Sequence, residues 1–512
     1  MSDNAEQSGR RRRFQSFILV PVLAVIALTA WGFASPVGAS PDDDFHLASI
    51  WCAVGEKVDA CEEVDDPASR IVPRDLLVDS VCYAMKSTES AVCQGSDYGG
   101  NPDDVVGTQR GNFEGLYPPV FYTVTSVFVG SNVEISVLAI RILNALIFVG
   151  MMTALWFLLP SRLKPTLVWA TVITAVPFGM FLIPSVNPSS WAILSAGTLW
   201  ISLLGFFESS GKRKIALGAM AVLATVIGAG ARADAAVYSV IAVGVVVILA
   251  AEATKRFFLS LILPVVLGLI AVGFYLSAGQ SQATSTGLGA YGQGPMDLTQ
   301  LFIDNILNVP SLWVGAFGGW SLGWMDTGMP DVVWVSGFAI FCGLLFAGLG
   351  VRYRRKGLMA AALVAAMFVI PTVLLVQSKA IVGEAVQPRY ILPLLIILAG
   401  VCLLQGPTSR LTLTRTQLIA IVGALSFAQS LALHVNLRRY ITGVDVNGWN
   451  LDAGIEWWWN VPFSPMTVWI VGTLTFTAML ILIAMKTYSS TSPALTASSE
   501  PAPTPEPART DV

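Results

Sequence analysis

Charged side chains are scarce in this sequence. Asp, Glu, Lys and Arg make up 12% of its 512 residues, against about 25% in an ordinary soluble domain. So few charges cannot build a water-facing surface of normal polarity, so lipid must cover much of the chain. Net charge is −3, and without a basic excess nucleic acid is excluded as a partner. Histidine is rarer still, with two residues, and no Cys-x-x-Cys pair occurs. That removes the usual ligand pattern of a structural zinc site. No internal repeat is evident, which speaks against the matched halves of a transporter.

Apolar residues are what the chain has in quantity: 54% of it, with a mean hydropathy of +0.67. A hydrocarbon core about 30 Å thick needs ~20 apolar residues in a helix. Twelve segments meet that need, at 15–35, 135–159, 166–185, 189–207, 215–231, 236–251, 258–277, 332–350, 357–377, 389–405, 416–434 and 464–485. The fifth and sixth are short, consistent with tilt or re-entry. The expected fold is an all-α membrane protein of about twelve transmembrane helices.

The basic residues give that fold an orientation. Arg10 to Arg13 precede the first span. Arg162 and Lys164, Lys212 to Lys214, Lys255 and Arg256, Arg352 to Lys356, and Arg410 with Arg415 then follow every second crossing. This is the positive-inside pattern, so both termini are expected in the cytoplasm and the protein in the cytoplasmic (inner) membrane. A missed or extra helix would have inverted the pattern downstream. The first span has a basic start and ends near small residues at Ala34 to Ser40, as a cleaved signal peptide does. Its apolar run is longer than such a core, which favours a retained helix.

The expected organisation is then a basic N-terminus over 1–14, a polytopic domain over 15–485 and a tail over 486–512. Within the domain, three outer loops are long: 36–116, which is acidic and bears cysteines; 278–331, Gly-rich and then Trp-rich with a membrane-surface helix; and 435–463. The tail has too few apolar residues to fold and reads as disordered. Cys52, Cys61, Cys82 and Cys93 fall in the first loop. Facing an oxidising compartment, they read as two disulfides. Three pairings are open, with local loops Cys52–Cys61 and Cys82–Cys93 preferred; free thiols and a metal site are the alternatives.

Six short patterns carry candidate chemistry. Pro41-Asp42-Asp43-Asp44-Phe45-His46 follows the first span. Crowded carboxylates repel, so at least one should hold its proton more tightly, as suits a general base or a divalent-cation site. The plain alternative is a solvated acidic turn. Tyr117-Pro118-Pro119-Val120-Phe121-Tyr122 opens an apolar stretch too short to span, which reads as a surface helix. Arg141 and Asn144 share a helix face about 9 Å inside the outer end of their span, where a charge needs a polar cavity or must snorkel. Arg232 and Asp234 sit at an outer turn and can neutralise each other. Gln387-Pro388-Arg389-Tyr390 opens the tenth span. Pro184-Ser185-Val186-Asn187-Pro188 makes a tight outer turn. His434 lies at the same level, where a lone histidine is more often interfacial.

The acids, Arg141, Asn187, Arg232, Asp234 and Arg389 thus come from five parts of the chain to one expected depth. Guanidiniums grip phosphate through paired hydrogen bonds. A carboxylate base beside a phosphate site, at a lipid surface, suits transfer from a lipid-phosphate donor.

The same motifs, PDDDFH, YPPVFY, RILNAL, PSVNPSS and QPRYILP in that order, resemble bacterial membrane proteins of domain-of-unknown-function family 2142 over roughly residues 15–440. That family in turn resembles the GT-C superfamily of polyprenyl-phosphate-sugar-dependent glycosyltransferases. The resemblance implies a catalytic acid in the first outer loop, at Asp42 or Asp43, with His46, Tyr117, Arg141, Asn187, Arg232, Asp234, Arg389 and Tyr390 around the substrate. The family more often has Asp-Glu before the histidine, and an Asp after the Asn-Pro of the turn, where this chain has Ser189 and Ser190.

The implied activity is sugar transfer from a polyprenyl-phosphate donor to a cell-envelope glycan, lipid or protein at the outer membrane face. No Gly-rich phosphate loop is visible, which argues against a nucleotide-sugar donor. No cofactor is required; a divalent cation on Asp42, Asp43 and Asp44 stays open. A transporter or lipid-linked-saccharide flippase, and a non-catalytic envelope-assembly scaffold, are the alternatives.

Overall fold

The computed structural model describes residues 2–53, 61–96, 98–99, 104–282, 297–350, 353–406 and 412–491, with side chains from residue 18 to residue 488 of these. The side chains of Arg10 to Arg13, residues Arg352 and Arg410, the glycine-rich stretch 283–296 and the tail from 492 lie outside them.

Each of the twelve apolar segments is helical. Among the described residues nine helices are long and apolar enough to cross a membrane: Val133–Leu158, Ser189–Glu208, Ala233–Ala250, Lys255–Ser277, Leu298–Gly319, Asp331–Leu349, Arg354–Gln377, Arg415–Ile441 and Pro465–Tyr488. Ile18–Phe33 is the apolar part of the helix Ser2–Phe33, and Pro388–Leu403 is a shorter apolar helix. The 166–185 segment is two helices, Lys164–Ala175 and Phe178–Leu182, parted at Pro177. Gly211–Ala229 is helical but starts on three basic residues. Leu298–Gly319 falls where an outer loop with a surface helix was expected.

Apolar surface on every side of a helix demands burial on every side. Ser189–Glu208 is buried continuously from Ser189 to Gly205, and Pro388–Leu403 is buried at every position but Tyr390. These two helices form the centre of the bundle. The outer helices turn large apolar residues away from it, among them Leu269, Phe346, Leu358 and Leu474. Such a surface calls for a lipid solvent.

The basic loops gather at one end. Arg162 donates to the Gln405 carbonyl at 2.7 Å, Arg256 to Ser209 at 2.8 Å, and Tyr353 to Leu249 at 2.8 Å. Lys356 donates to Gly348 and Leu404 at 2.7 and 2.9 Å. The acidic loop closes the opposite end. Asn436 Nδ2 binds the Ala34 carbonyl at 2.9 Å, and Trp459 Nε1 the Phe33 carbonyl at 2.8 Å.

Leu298–Gly319 begins and ends at this acidic end. Asn305 donates to Ala380 at 2.9 Å, just beyond the Arg354–Gln377 helix. The chain then dips until Phe317 packs beside Phe338 and Phe341. It returns so that Trp324 Nε1 meets the Gly38 carbonyl at 2.8 Å. The segment enters and leaves on one side, so it does not disturb the order of basic loops.

The cysteine loop carries a three-stranded antiparallel sheet of Glu62–Glu63, Arg70–Pro73 and Val105–Thr108, with Arg70 opposite Thr108. Cys52 is joined to Cys61 and Cys82 to Cys93. Arg439, buried near the end of Arg415–Ile441, holds the second disulfide loop down. It donates to the Tyr83 and Lys86 carbonyls at 2.9 and 3.0 Å and to Asp326 at 2.8 Å.

Candidate functional site

Asp42 is the hinge of the site. It stands in the left-handed region at φ 63°, immediately before the helix Asp43–Cys52. That conformation is uncommon for a residue with a Cβ, though Asp tolerates it better than most. Two side chains fix the preceding Pro41 carbonyl and so hold the turn: Asn187 Nδ2 at 2.7 Å and Arg389 Nη1 at 2.9 Å.

Two guanidiniums converge on the Asp42 carboxylate. Arg389 Nη2, buried, donates to Oδ2, while Arg110 Nη2 donates to Oδ1 at 3.1 Å. Arg110 also pairs with Asp44 through Nε and, at 2.8 Å, through Nη2. Asp42 keeps 36% of its side-chain exposure, and Arg110 45%. Burial works to raise the Asp42 carboxyl, but the charge and hydrogen bond of Arg389, with the charge of Arg110, hold it well below the usual carboxylate range.

Asp43 behaves oppositely. It is fully buried and accepts the Ser40 backbone N–H at 3.0 Å, and its Oδ1 has no partner among the described residues. Burial pushes its carboxyl up to about 7, against the lowering charge of Arg141 and the Ser40 hydrogen bond. Adjacent carboxylates are therefore pushed in opposite directions by their surroundings.

Aromatic side chains wall the site. His46 Nδ1 and Tyr122 Oη lie 2.9 Å apart, and the His46 ring is stacked on Tyr122 and edge-on to Tyr117. His46 is fully buried, and burial drives it well below its ordinary value, so it is neutral. Burial likewise raises the Tyr117 phenol to about 12, partly offset by Arg232, so it keeps its proton. The Arg232 guanidinium lies 5.0 Å from the Tyr390 ring centroid and 5.7 Å from that of Tyr117. Its edge donates to Asp234, at 2.8 and 2.9 Å in a bidentate pair, and to Ser189 at 3.2 Å. Arg389 also donates to Tyr390 Oη at 3.1 Å. Asp42, His46, Tyr117, Arg232, Asp234, Arg389 and Tyr390 thus meet in one layer.

Arg141 and Asn187 belong to its foundations. Arg141 is buried, and its terminal nitrogens serve the carbonyls of Gly32 at 2.8 Å, Pro36 at 2.6 Å and Ser35. It caps the first helix instead of facing substrate as its sequence position suggests. Asn187 is likewise buried, with its amide spent on Pro41 and on the Ser189 N–H at 2.9 Å. Asn144 binds the Ser185 carbonyl at 2.7 Å and accepts from Trp191 at 2.9 Å, bracing the same turn.

The carboxylates of Asp42 and Asp44 are taken by guanidiniums, and Asp43 is turned to the Ser40 N–H. Among the described residues no group of three or more His, Cys, Asp or Glu is placed to hold a metal ion. A cation site made of Asp42, Asp43 and Asp44 does not fit this geometry. Of the tryptophans, Trp324 anchors to Gly38 and Trp313 packs on Phe368, so both are structural. His434 sits between Trp449 and Trp469 and contacts the Trp449 carbonyl at 3.1 Å.

Arg110 is the residue of this layer that sequence reasoning missed. It lies in an irregular loop, and its only outward sign is a lone cation shortly after an acidic stretch.

No curated protein and no solved structure matches this chain. A family model described as a predicted membrane protein, DUF2142, matches residues 25–398. That stretch runs from within the first apolar helix to beyond Arg389, and so contains every residue of the layer just described. Matched over well more than half its length, the chain belongs to the predicted membrane protein family DUF2142.

Proposed function

We propose that this protein is a GT-C-like glycosyltransferase, moving a sugar from a polyprenyl-phosphate donor to a cell-envelope acceptor at the outer face of the cytoplasmic membrane. Twelve crossings with both termini in the cytoplasm go with this reading, and the grouping of basic loops at one end supports them.

The observation that carries the proposal is the convergence of Arg389 and Arg110 on the half-exposed Asp42 carboxylate. A carboxylate held by two guanidiniums marks a position where a phosphate would be gripped in the same way. In the proposed step, the donor phosphate takes over Arg389 and Arg110. Asp42 loses the cations that keep it a weak base, and its proton affinity rises toward the range useful for general-base catalysis. The acceptor hydroxyl oxygen attacks the anomeric carbon and its proton passes to Asp42. The bond from that carbon to the phosphate oxygen breaks, and the phosphate leaves with the electron pair, stabilised by Arg389. Asp43, buried and tied to Ser40, serves better as a support than as the base. Tyr117, Tyr390 and His46 offer ring faces and polar edges to the sugar.

A lipid-linked-saccharide flippase is the second reading. It is favoured by the helix broken at Pro177 and by the segment that dips at Phe317. Against it, the buried acids and their arginine partners cluster at one end and leave the middle of the bundle apolar.

The deciding experiment is transfer of labelled sugar from a polyprenyl-phosphate donor by the purified, reconstituted protein. Asp42→Asn should abolish transfer while leaving the protein folded in the membrane. Full transfer by that variant removes Asp42 as the base.

A further inference from the structure

A guanidinium has two edges that can each grip an anion: Nε with one terminal nitrogen, and the two terminal nitrogens together. Arg110 uses the first edge in full. Its Nε and Nη2 both donate to the Asp44 carboxylate, Nη2 at 2.8 Å. The second edge is half used. Nη2 gives its other hydrogen to Asp42 Oδ1 at 3.1 Å, and Nη1 has no partner among the described residues.

The other two guanidiniums of the layer are committed. Arg389 spends Nη1 on the Pro41 carbonyl and Nη2 on Asp42 and Tyr390. Arg232 spends Nη2 on Asp234 and Nη1 on Ser189. Their side chains are 1% and 4% exposed, against 45% for Arg110. Arg110 alone combines an unpaired terminal nitrogen with an open side chain.

The chain on either side of Arg110 is docked. Its own N–H donates to Thr108 Oγ1 at 2.9 Å, and the Asn112 N–H donates to Ser49 Oγ at 2.8 Å. Ser49 lies on the helix Asp43–Cys52, which also carries Asp44. Only the side chain is left to be aimed, and Asp44, 12% exposed, aims it. An arginine ordered in advance loses less entropy when its ligand arrives. The loop then leads to the surface helix Val120–Thr125, where Leu116, Val127 and Phe128 are exposed. Apolar side chains beside an anion-gripping edge suit a phosphate that carries an apolar tail.

We propose that Asp44 is a positioning residue: it holds the inner edge of Arg110 while the outer edge takes the phosphate of a lipid-linked ligand. Asp42 Oδ1 gives up its place on that edge, and Asp44 stays paired. The proposal rests on the phosphate-binding part of the sugar-transfer reading, but its test needs no sugar.

Farnesyl phosphate, a lipid phosphate without a sugar, is titrated into the full-length protein in detergent. Arg110→Lys should weaken binding about ten-fold, because an ammonium held by Asp44 has no second edge to offer. That variant keeps the ion pair, and so decides the matter if Arg110→Gln does not fold. Asp44→Asn should also weaken binding, yet add nothing in the Arg110→Gln background, since Asp44 acts only through Arg110. Inorganic phosphate should compete far more weakly than farnesyl phosphate. Unchanged affinity in Arg110→Lys overturns the proposed edge. Tighter binding in Asp44→Asn makes Asp44 a competitor for Arg110 and overturns its positioning role, as does an equal loss with and without Arg110. Inorganic phosphate bound as tightly as farnesyl phosphate overturns the lipid assignment. Farnesyl phosphate binding with this dependence but no sugar transfer removes the transferase reading and upholds this one.

Discussion

Arg389 and Asp42 are 347 residues apart in the chain and meet side chain to side chain, the arginine buried and the aspartate half open. The contact joins the turn after the first helix to the first turn of a central helix. It therefore ties the position of the acid to the core of the bundle.

Asp43 should make stability depend on pH. Its folded-state carboxyl, at about 7, lies above the ordinary 3.8. Between those values the folded protein binds more protons at this site than the unfolded chain, so the Asp43 contribution to stability falls as pH rises from about 4 to about 7. His46 pulls the other way, since its lowered value makes stability rise with pH below its ordinary 6.5. The difference between wild type and Asp43→Asn isolates the aspartate. Thermal unfolding in detergent across pH 4–8 should show the variant gaining relative to wild type as pH rises. A constant difference over that window contradicts the assignment.

Arg141 should matter for folding more than for substrate. Arg141→Ala leaves the carbonyls at the end of the first helix without their donor, a loss on the order of 3 kcal/mol. A clear drop in Tm is expected, together with loss of the ordered Asp42 turn. Arg141→Ala with unchanged Tm would contradict its capping role.

The Cys82–Cys93 bridge pins a short loop that Arg439 also holds through the Tyr83 and Lys86 carbonyls. Cys82→Ser with Cys93→Ser should lower stability by about 2–4 kcal/mol. Neither cysteine touches the Asp42 layer, so residual activity below the new Tm should be near normal. Thermal unfolding and transfer assays on the same samples check both halves.

Orientation can be read directly. Met85→Cys, at a site 70% exposed in the cysteine loop, should react with an impermeant maleimide added outside intact cells. Arg354→Cys should react only after the membrane is opened. The reverse result inverts the proposed topology.

Helix positions were legible because lipid imposes a length and an apolar composition that few other constraints produce. The basic loops added the grouping by end. The boundary at Pro177 was missed by reading apolar length alone, although a proline inside a helical run is itself a signal that the helix ends or kinks there. Leu298–Gly319 was concealed by Asp304, Asn305, Asn308 and Pro310, which bring its hydropathy to 1.2, the lowest of the nine. The candidate site was half legible. Charged residues flanking apolar helices suggested a common depth, and Asp42, Arg232, Arg389 and their aromatic neighbours do share one layer. Depth alone did not distinguish Arg389, whose partner is a partly exposed carboxylate, from Arg141, whose partners are backbone carbonyls. Arg110 carries no periodic signal, because its position is set by the small sheet and not by a helix.

The most direct test measures two quantities on one set of reconstituted samples: binding of a polyprenyl-phosphate sugar and its transfer. Asp42→Asn should abolish transfer yet bind donor at least as tightly as wild type, since Arg389 and Arg110 are released from the carboxylate. Arg389→Lys should weaken donor binding about ten-fold or more, because a point charge replaces a fork. Unimpaired transfer by Asp42→Asn, or unchanged donor affinity in Arg389→Lys, would contradict the account.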